Sequence, residues 1–186
     1  EIKYMELANK EKKVWELLSN IKADGMLLST RDSFAWISCG GTSGVDRSGQ
    51  NGVVDILLMD GKKYLIASTI EKYRFMEEEL SGKEFRLVDY DWFNGSEKTI
   101  RELMGNKRII SDTGVFGTEN AYQEIQRLRF SLEPEEVKRF KLLSGISAKA
   151  MEAACKEIRH GDTEWEVAAN LTQKLLRNGV DAPVCM

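Results

Sequence analysis

Val14, Leu17, Leu18 and Ile21 recur at helical spacing with lysine and glutamate between them, a pattern that predicts an amphipathic helix over residues 4–23, closed by Asp24 and Gly25. Two short, largely apolar runs flanked by turn formers come next at 26–30 and 34–38, and each reads as a strand. Between Gly40 and Gly52 lie five glycines, two serines, Asp46 and Arg47, the composition of a long loop. Apolar runs at 53–59 and 63–67 then flank Asp60-Gly61, a pair that tolerates the positive φ angles of a tight hairpin turn. Ser68 with Glu71 three residues on forms a capping box, so a helix is predicted over 69–80, ended by Ser81 and Gly82. On it Glu71 and Arg74 stand three apart, as a surface ion pair does.

Residues 85–88 read as a strand, 96–104 as a helix, 108–111 as a strand and 118–129 as a helix. Strands alternating with helices, together with one antiparallel hairpin, imply an α/β domain with a mixed sheet flanked by helices. It extends over residues 1–131, the last helix connecting it to a second domain. Pro134 suits the first turn of a new helix, where a missing N–H costs no hydrogen bond. From there Val137, Phe140, Leu143, Ser147, Met151, Ala154 and Ile158 form an apolar stripe spaced by three or four, over a helix of roughly 20 residues or more. His160-Gly161 terminates it, Thr163 with Glu166 caps the next helix, and Asn178-Gly179 ends that one. Residues 180–186 read as an opening strand. Residues 132–186 are therefore expected to be the first layer of a second, truncated domain, whose exposed apolar face is covered by a partner chain or is poorly ordered.

Charge adds little: 27 basic residues nearly cancel 30 acidic ones, so nothing points to nucleic acid or an acidic membrane as partner. Cys39, Cys155 and Cys185 are odd in number and lack CxxC spacing, which argues against a disulfide framework or a zinc knuckle and for the reducing cytoplasm. The first residues lack the apolar centre of a signal peptide, and no stretch approaches the roughly 18 apolar residues of a membrane span.

Candidate chemistry is sparse. One histidine, no HExxH and no carboxylate cluster leave no visible metal site, and His160 at a helix C-terminus suits a structural role with the dipole. Cys39 and Cys155 have no histidine positioned to activate them, and Cys155, in an alanine-rich helix, reads as a packed structural thiol. Gly40-Gly-Thr-Ser-Gly44 lacks the GK[ST] of a phosphate loop and leads into a strand rather than a helix N-terminus.

Several segments carry a resemblance. Leu132-Glu-Pro-Glu-Glu-Val-Lys138, the helix after it, Ile158-Arg-His-Gly-Asp-Thr-Glu-Trp-Glu-Val-Ala168 and Leu175-Leu-Arg-Asn-Gly179 resemble the entry into the catalytic domain of the creatinase/prolidase/aminopeptidase P family, the pita-bread metallopeptidases. His160 stands where that family usually has proline. Upstream, Asp32-Ser-Phe-Ala-Trp-Ile37, residues 54–65, Thr69-Ile-Glu-Lys-Tyr-Arg74 and Glu77-Glu-Glu79 resemble the N-terminal domain of its Xaa-Pro peptidases.

The resemblance implies a creatinase-like N-terminal domain, followed by the start of a pita-bread domain whose two divalent metal ions (Mn, Co or Zn) are held by two aspartates, a histidine and two glutamates beyond Met186. It implies an Xaa-Pro peptide substrate and a homodimer for the full-length enzyme, and no metal ligand in this chain. The same architecture also serves as a non-catalytic peptide- or protein-binding module, or as a creatinase-type amidinohydrolase. Trp36, Asp46 and Arg47, an aromatic and a charge pair in or beside the glycine-rich loop, are the candidates for contact with the substrate cleft or a neighbouring subunit, because functional residues concentrate on such loops.

Overall fold

The computed structural model of the chain describes residues 2–45 and 49–181, with side chains from Met5 onward. The chain divides into two compact units, residues 1–132 and 133–186.

In the first unit, helix α1 (Ile2–Ile21) leads into β1 (Gly25–Thr30), α2 (Arg31–Ile37), the hairpin β2 (Asn51–Met59) and β3 (Lys62–Ser68), and β4 (Arg86–Tyr90). Helix α4 (Glu97–Met104), β5 (Ile109–Ser111), β6 (Glu119–Asn120) and α5 (Tyr122–Leu128) complete it; α3 (Lys72–Arg74) and a π-helical turn (Phe75–Glu79) join β3 to β4. The six strands form one sheet in the order β4-β3-β2-β1-β5-β6. β1/β2 and β2/β3 are antiparallel, whereas β3/β4, β1/β5 and β5/β6 are parallel, so the sheet is mixed as the alternation of elements predicts.

The period of two along each strand sorts side chains to two covered faces. Met26, Leu28, Ile56, Leu58, Leu65 and Ile110 pack under Val14 and Leu18 of α1, Phe34 and Ile37 of α2, and Ile125 of α5. Leu27, Leu57, Met59, Ile66 and Ile109 meet Ile100 and Met104 of α4 on the other side. Asp60 and Gly61 both take positive φ (53° and 67°) between β2 and β3, the tight turn that Asp-Gly foretold.

Three expected elements differ. Residues 34–37 are not a strand but part of α2, with Ser38 as its C-cap: extended Thr30 caps the helix by accepting from Ser33 N (3.4 Å), which turns the apolar run so that Phe34 and Ile37 share the buried face. The helix expected over 69–80 begins only at Lys72, because Ser68 stays in β3 and gives no side-chain cap. Its second half is wound wider, with Leu80 N bonded to Phe75 O at 2.8 Å and Phe75 fully buried. Residues 118–129 first pair with β5 as β6, with Ala121 N donating to Ser111 O (2.8 Å), before α5 starts.

In the second unit, α6 (Pro134–Glu157) has Pro134 in its first turn and a capping box of Glu133 and Glu136. α7 (Glu164–Arg177) is capped by Thr163 and Glu166, as the sequence predicts. The pair packs through Ala150, Ala154, Leu171, Leu175 and Val180. Of the predicted stripe, Ala154 is buried, whereas Phe140, Leu143, Met151 and Ile158 are exposed. His160 lies in the turn beyond α6, which stops at Glu157, rather than in the last helical turn. The strand expected at the end falls, from residue 182 onward, outside the described residues. No helix among the described residues is long and apolar enough to cross a membrane.

Candidate functional site

A cleft of about 450 Å³ opens where β1 hands over to α2, lined by Thr30, Arg31, Asp32, Ala35, Thr42 and Tyr122 among others. Asp112, just past β5, anchors the junction. Its carboxylate accepts from Ser29 N (2.9 Å), Thr30 N (3.0 Å) and Thr30 Oγ1 (2.6 Å), which satisfies buried amides that the end of β1 leaves unpaired. With Thr30 held, α2 starts at a fixed angle and presents Arg31, Asp32 and Ala35 to the cleft.

The glycine-rich loop is tied down on the opposite side. Arg31 N donates to Gln50 O (2.9 Å), Arg31 Nη1 to Gly49 O (3.2 Å), and Val53 N to Ser43 O (3.1 Å). Thr42 N donates to Glu79 Oε2 (3.0 Å), linking the loop to the π-helical turn. A Cβ at Gly41 would lie 2.7 Å from Ser38 Oγ and 2.9 Å from Glu79 Oε2, so both side chains would have to shift to admit one. Burial alone would raise the pKa of Asp32, but hydrogen bonds from Arg129 and Thr30, the Arg129 charge and Ser33 N outweigh it and lower the pKa below the usual value. Asp32 and Arg129 are 2.6 Å apart, so the charge on this wall is fixed and paired.

Of the residues singled out in the sequence, Trp36 is 5% exposed within the core under α1. Its carbonyl accepts from Lys10 Nζ (2.7 Å), and that ammonium lies 5.6 Å from the indole centroid. Asp46 and Arg47 lie outside the described residues. What the sequence did not mark is Lys10 itself, fully buried and paired with Glu6 at 2.7 Å; a lysine and a glutamate four apart on a helix read as surface charges. Arg31 was equally unmarked, and Asp32 and Thr42 stood out only as members of longer segments.

Burial pushes the Cys39 thiol up to about 11, the Lys10 charge opposing this only in part, so Cys39 is a protonated structural thiol. Cys155 corrects the sequence reading. It is exposed, because Ala150 and Ala154 take the face of α6 that meets α7 and Cys155 points about 100° away. Among the described residues no three His, Cys, Asp or Glu side chains converge as a metal ion would need.

No protein-family model matches this chain, and no curated protein matches it by sequence. Solved structures do. A prolidase from Pyrococcus horikoshii OT3 superposes with a TM-score of 0.70 at 21% identity, covering 91% of this chain and 48% of that one. A Xaa-Pro dipeptidase from Bacillus anthracis gives 0.68 at 14% identity (92% and 49%), and an X-Pro aminopeptidase from Thermotoga maritima MSB8 gives 0.62 at 22% (91% and 49%). The chain thus spans about half the length of each of these three solved proteins. With its mixed six-stranded sheet and its helix pair, it has the fold of that half of a prolidase or X-Pro peptidase.

Proposed function

We propose that this chain is the N-terminal portion of a metal-dependent Xaa-Pro peptidase of prolidase or aminopeptidase P type, supporting a homodimer and forming one wall of the substrate cleft. The observation that carries this reading is a fold shared over nine-tenths of the chain with about half of several peptidases named for Xaa-Pro substrates. The described residues do not fit a metal site, so no metal step is assigned to them. In the complete enzyme two ions (Mn, Co or Zn) would be held by other residues and would supply Lewis-acid chemistry for hydrolysis.

This chain's own residues shape and charge the cleft. Asp112 sets the start of α2, the Asp32–Arg129 pair fixes the charge of the wall, and Arg31 and Glu79 hold the glycine-rich loop. Asp46 and Arg47 belong to the same loop in sequence, and we assign them the contacts with substrate or a neighbouring subunit. Trp36, packed against Lys10, holds α2 from behind. An exposed free thiol at Cys155 suits the reducing cytoplasm.

The test is substrate choice by a protein that carries this chain together with a catalytic second half. Manganese-dependent release of proline from Xaa-Pro dipeptides is expected, with a raised KM in Arg47→Ala. Turnover of creatine instead, or no turnover of either substrate, would overturn the reading.

A further inference from the structure

A second cleft, of about 490 Å³, opens on the face of the sheet that carries α4. Its floor is polar and its walls are apolar. Asp55 of β2 and Ser29 of β1 both point to this face, since their neighbours Leu57 and Leu27 do. Ile70, Trp92 and Phe116 stand around them. Trp92 is 62% exposed, with its indole edge-on to Phe93, so an apolar surface is held ready beside the polar floor.

Two carboxylates flank β1 here, and they differ in how their charge is met. Asp112 already accepts three hydrogen bonds and has no need of a ligand. Asp55 has no lysine, arginine or histidine partner among the described residues. Burial, eased by the nearby Ser29 hydroxyl and reinforced by the Asp112 charge, pushes its pKa up to about 6. The other groups facing it do not neutralise it: Tyr90 is itself raised by burial and by the Asp55 charge, and Glu71 at the rim is paired with Arg74 at 3.1 Å. Ser29 is 5% exposed, and its hydroxyl, although close enough to favour the charged form of Asp55, completes no well-aligned hydrogen bond. A buried hydroxyl left open beside an unanswered carboxylate marks a place for a donor.

A cationic donor suits this place best, because two neighbouring carboxylates repel anions and attract positive charge. The apolar side chains around it favour an organic cation, and among the described residues no three metal-ligating side chains converge. We propose that this cleft binds a small primary ammonium compound, its nitrogen donating to Asp55 and Ser29 Oγ and its apolar body lying against Trp92 and Phe116. This site stands on its own residues and does not depend on the peptidase reading.

Benzylammonium is the probe, with benzyl alcohol as its neutral counterpart, titrated into the 186-residue chain and followed by calorimetry and NMR. Saturable binding is expected at pH 7.5, about tenfold tighter than for benzyl alcohol, with the preference fading towards pH 5 as Asp55 takes up a proton. Asp55→Asn should abolish the preference. Trp92→Ala, at an exposed position that leaves the fold intact, should weaken both ligands about threefold or more. Equal binding of amine and alcohol by the wild-type chain, an absence of saturable binding, a preference unchanged by Asp55→Asn, or binding unchanged by Trp92→Ala would each overturn the proposal.

Discussion

Asp112 and Asp55 show how the same side chain gives opposite outcomes on either side of one strand. Asp112 receives two backbone amides and a hydroxyl, so Asp112→Ala leaves buried donors unmet and should lower stability by about 3 kcal/mol in a urea titration at pH 7. Asp55, with its folded pKa raised to about 6 from 3.8, binds its proton more tightly in the native state. Its protonated form therefore stabilises the fold fully below about pH 4, and that contribution is lost as the pH rises through about 6. Relative to Asp55→Asn, the wild-type chain should lose on the order of 2 kcal/mol between pH 4 and 7 in denaturation measured at several pH values. Equal pH dependence in the two proteins would show that Asp55 titrates normally. Neither carboxylate stood out in the sequence, because the partners of Asp112 are backbone groups 82 and 83 residues away and a lone Asp in an apolar strand carries no spacing signal.

At the scale of elements, local chemistry was legible wherever the signal and its structural answer were adjacent. The Asp60-Gly61 hairpin, the Pro134 helix start and the Thr163–Glu166 cap all stand as read. Local signals and structure part where a distant contact decides. The run containing Phe34 and Ile37 suits either a strand or a helix, and Asp112 settles it by fixing the cap at Thr30. Ser68 and Glu71 have capping-box spacing, but parallel pairing of β3 with β4 through Ser68 and Tyr90 keeps the backbone extended there. The tight pairing of β1 gives an element-level prediction. A Cβ at Gly25 would meet Leu58 O at 2.8 Å and Ile109 Cδ1 at 2.9 Å, so Gly25→Ala should destabilise the α/β unit by about 2 kcal/mol in thermal or chemical unfolding. Wild-type stability in that variant would mean that β1 sits more loosely between its neighbours.

For the whole molecule, the mixed sheet was legible from the alternation of strands and helices, while its order β4-β3-β2-β1-β5-β6 was not, since pairing across the sheet leaves no local trace. The candidate cleft was legible only as a glycine-rich loop. The residues that line it from α2 and α5 come together through the fold, and Trp36, which drew attention as an aromatic beside the loop, lies in the core. The exposed Phe140, Leu143, Met151 and Ile158 on α6 are a surface that the peptidase reading assigns to a further, catalytic layer. The most direct measurement of that reading is proline release from an Xaa-Pro dipeptide by the 186-residue chain alone, with and without added manganese. The account predicts no release under either condition, because the catalytic metal ligands belong to other residues. Metal-dependent release by this chain would contradict it.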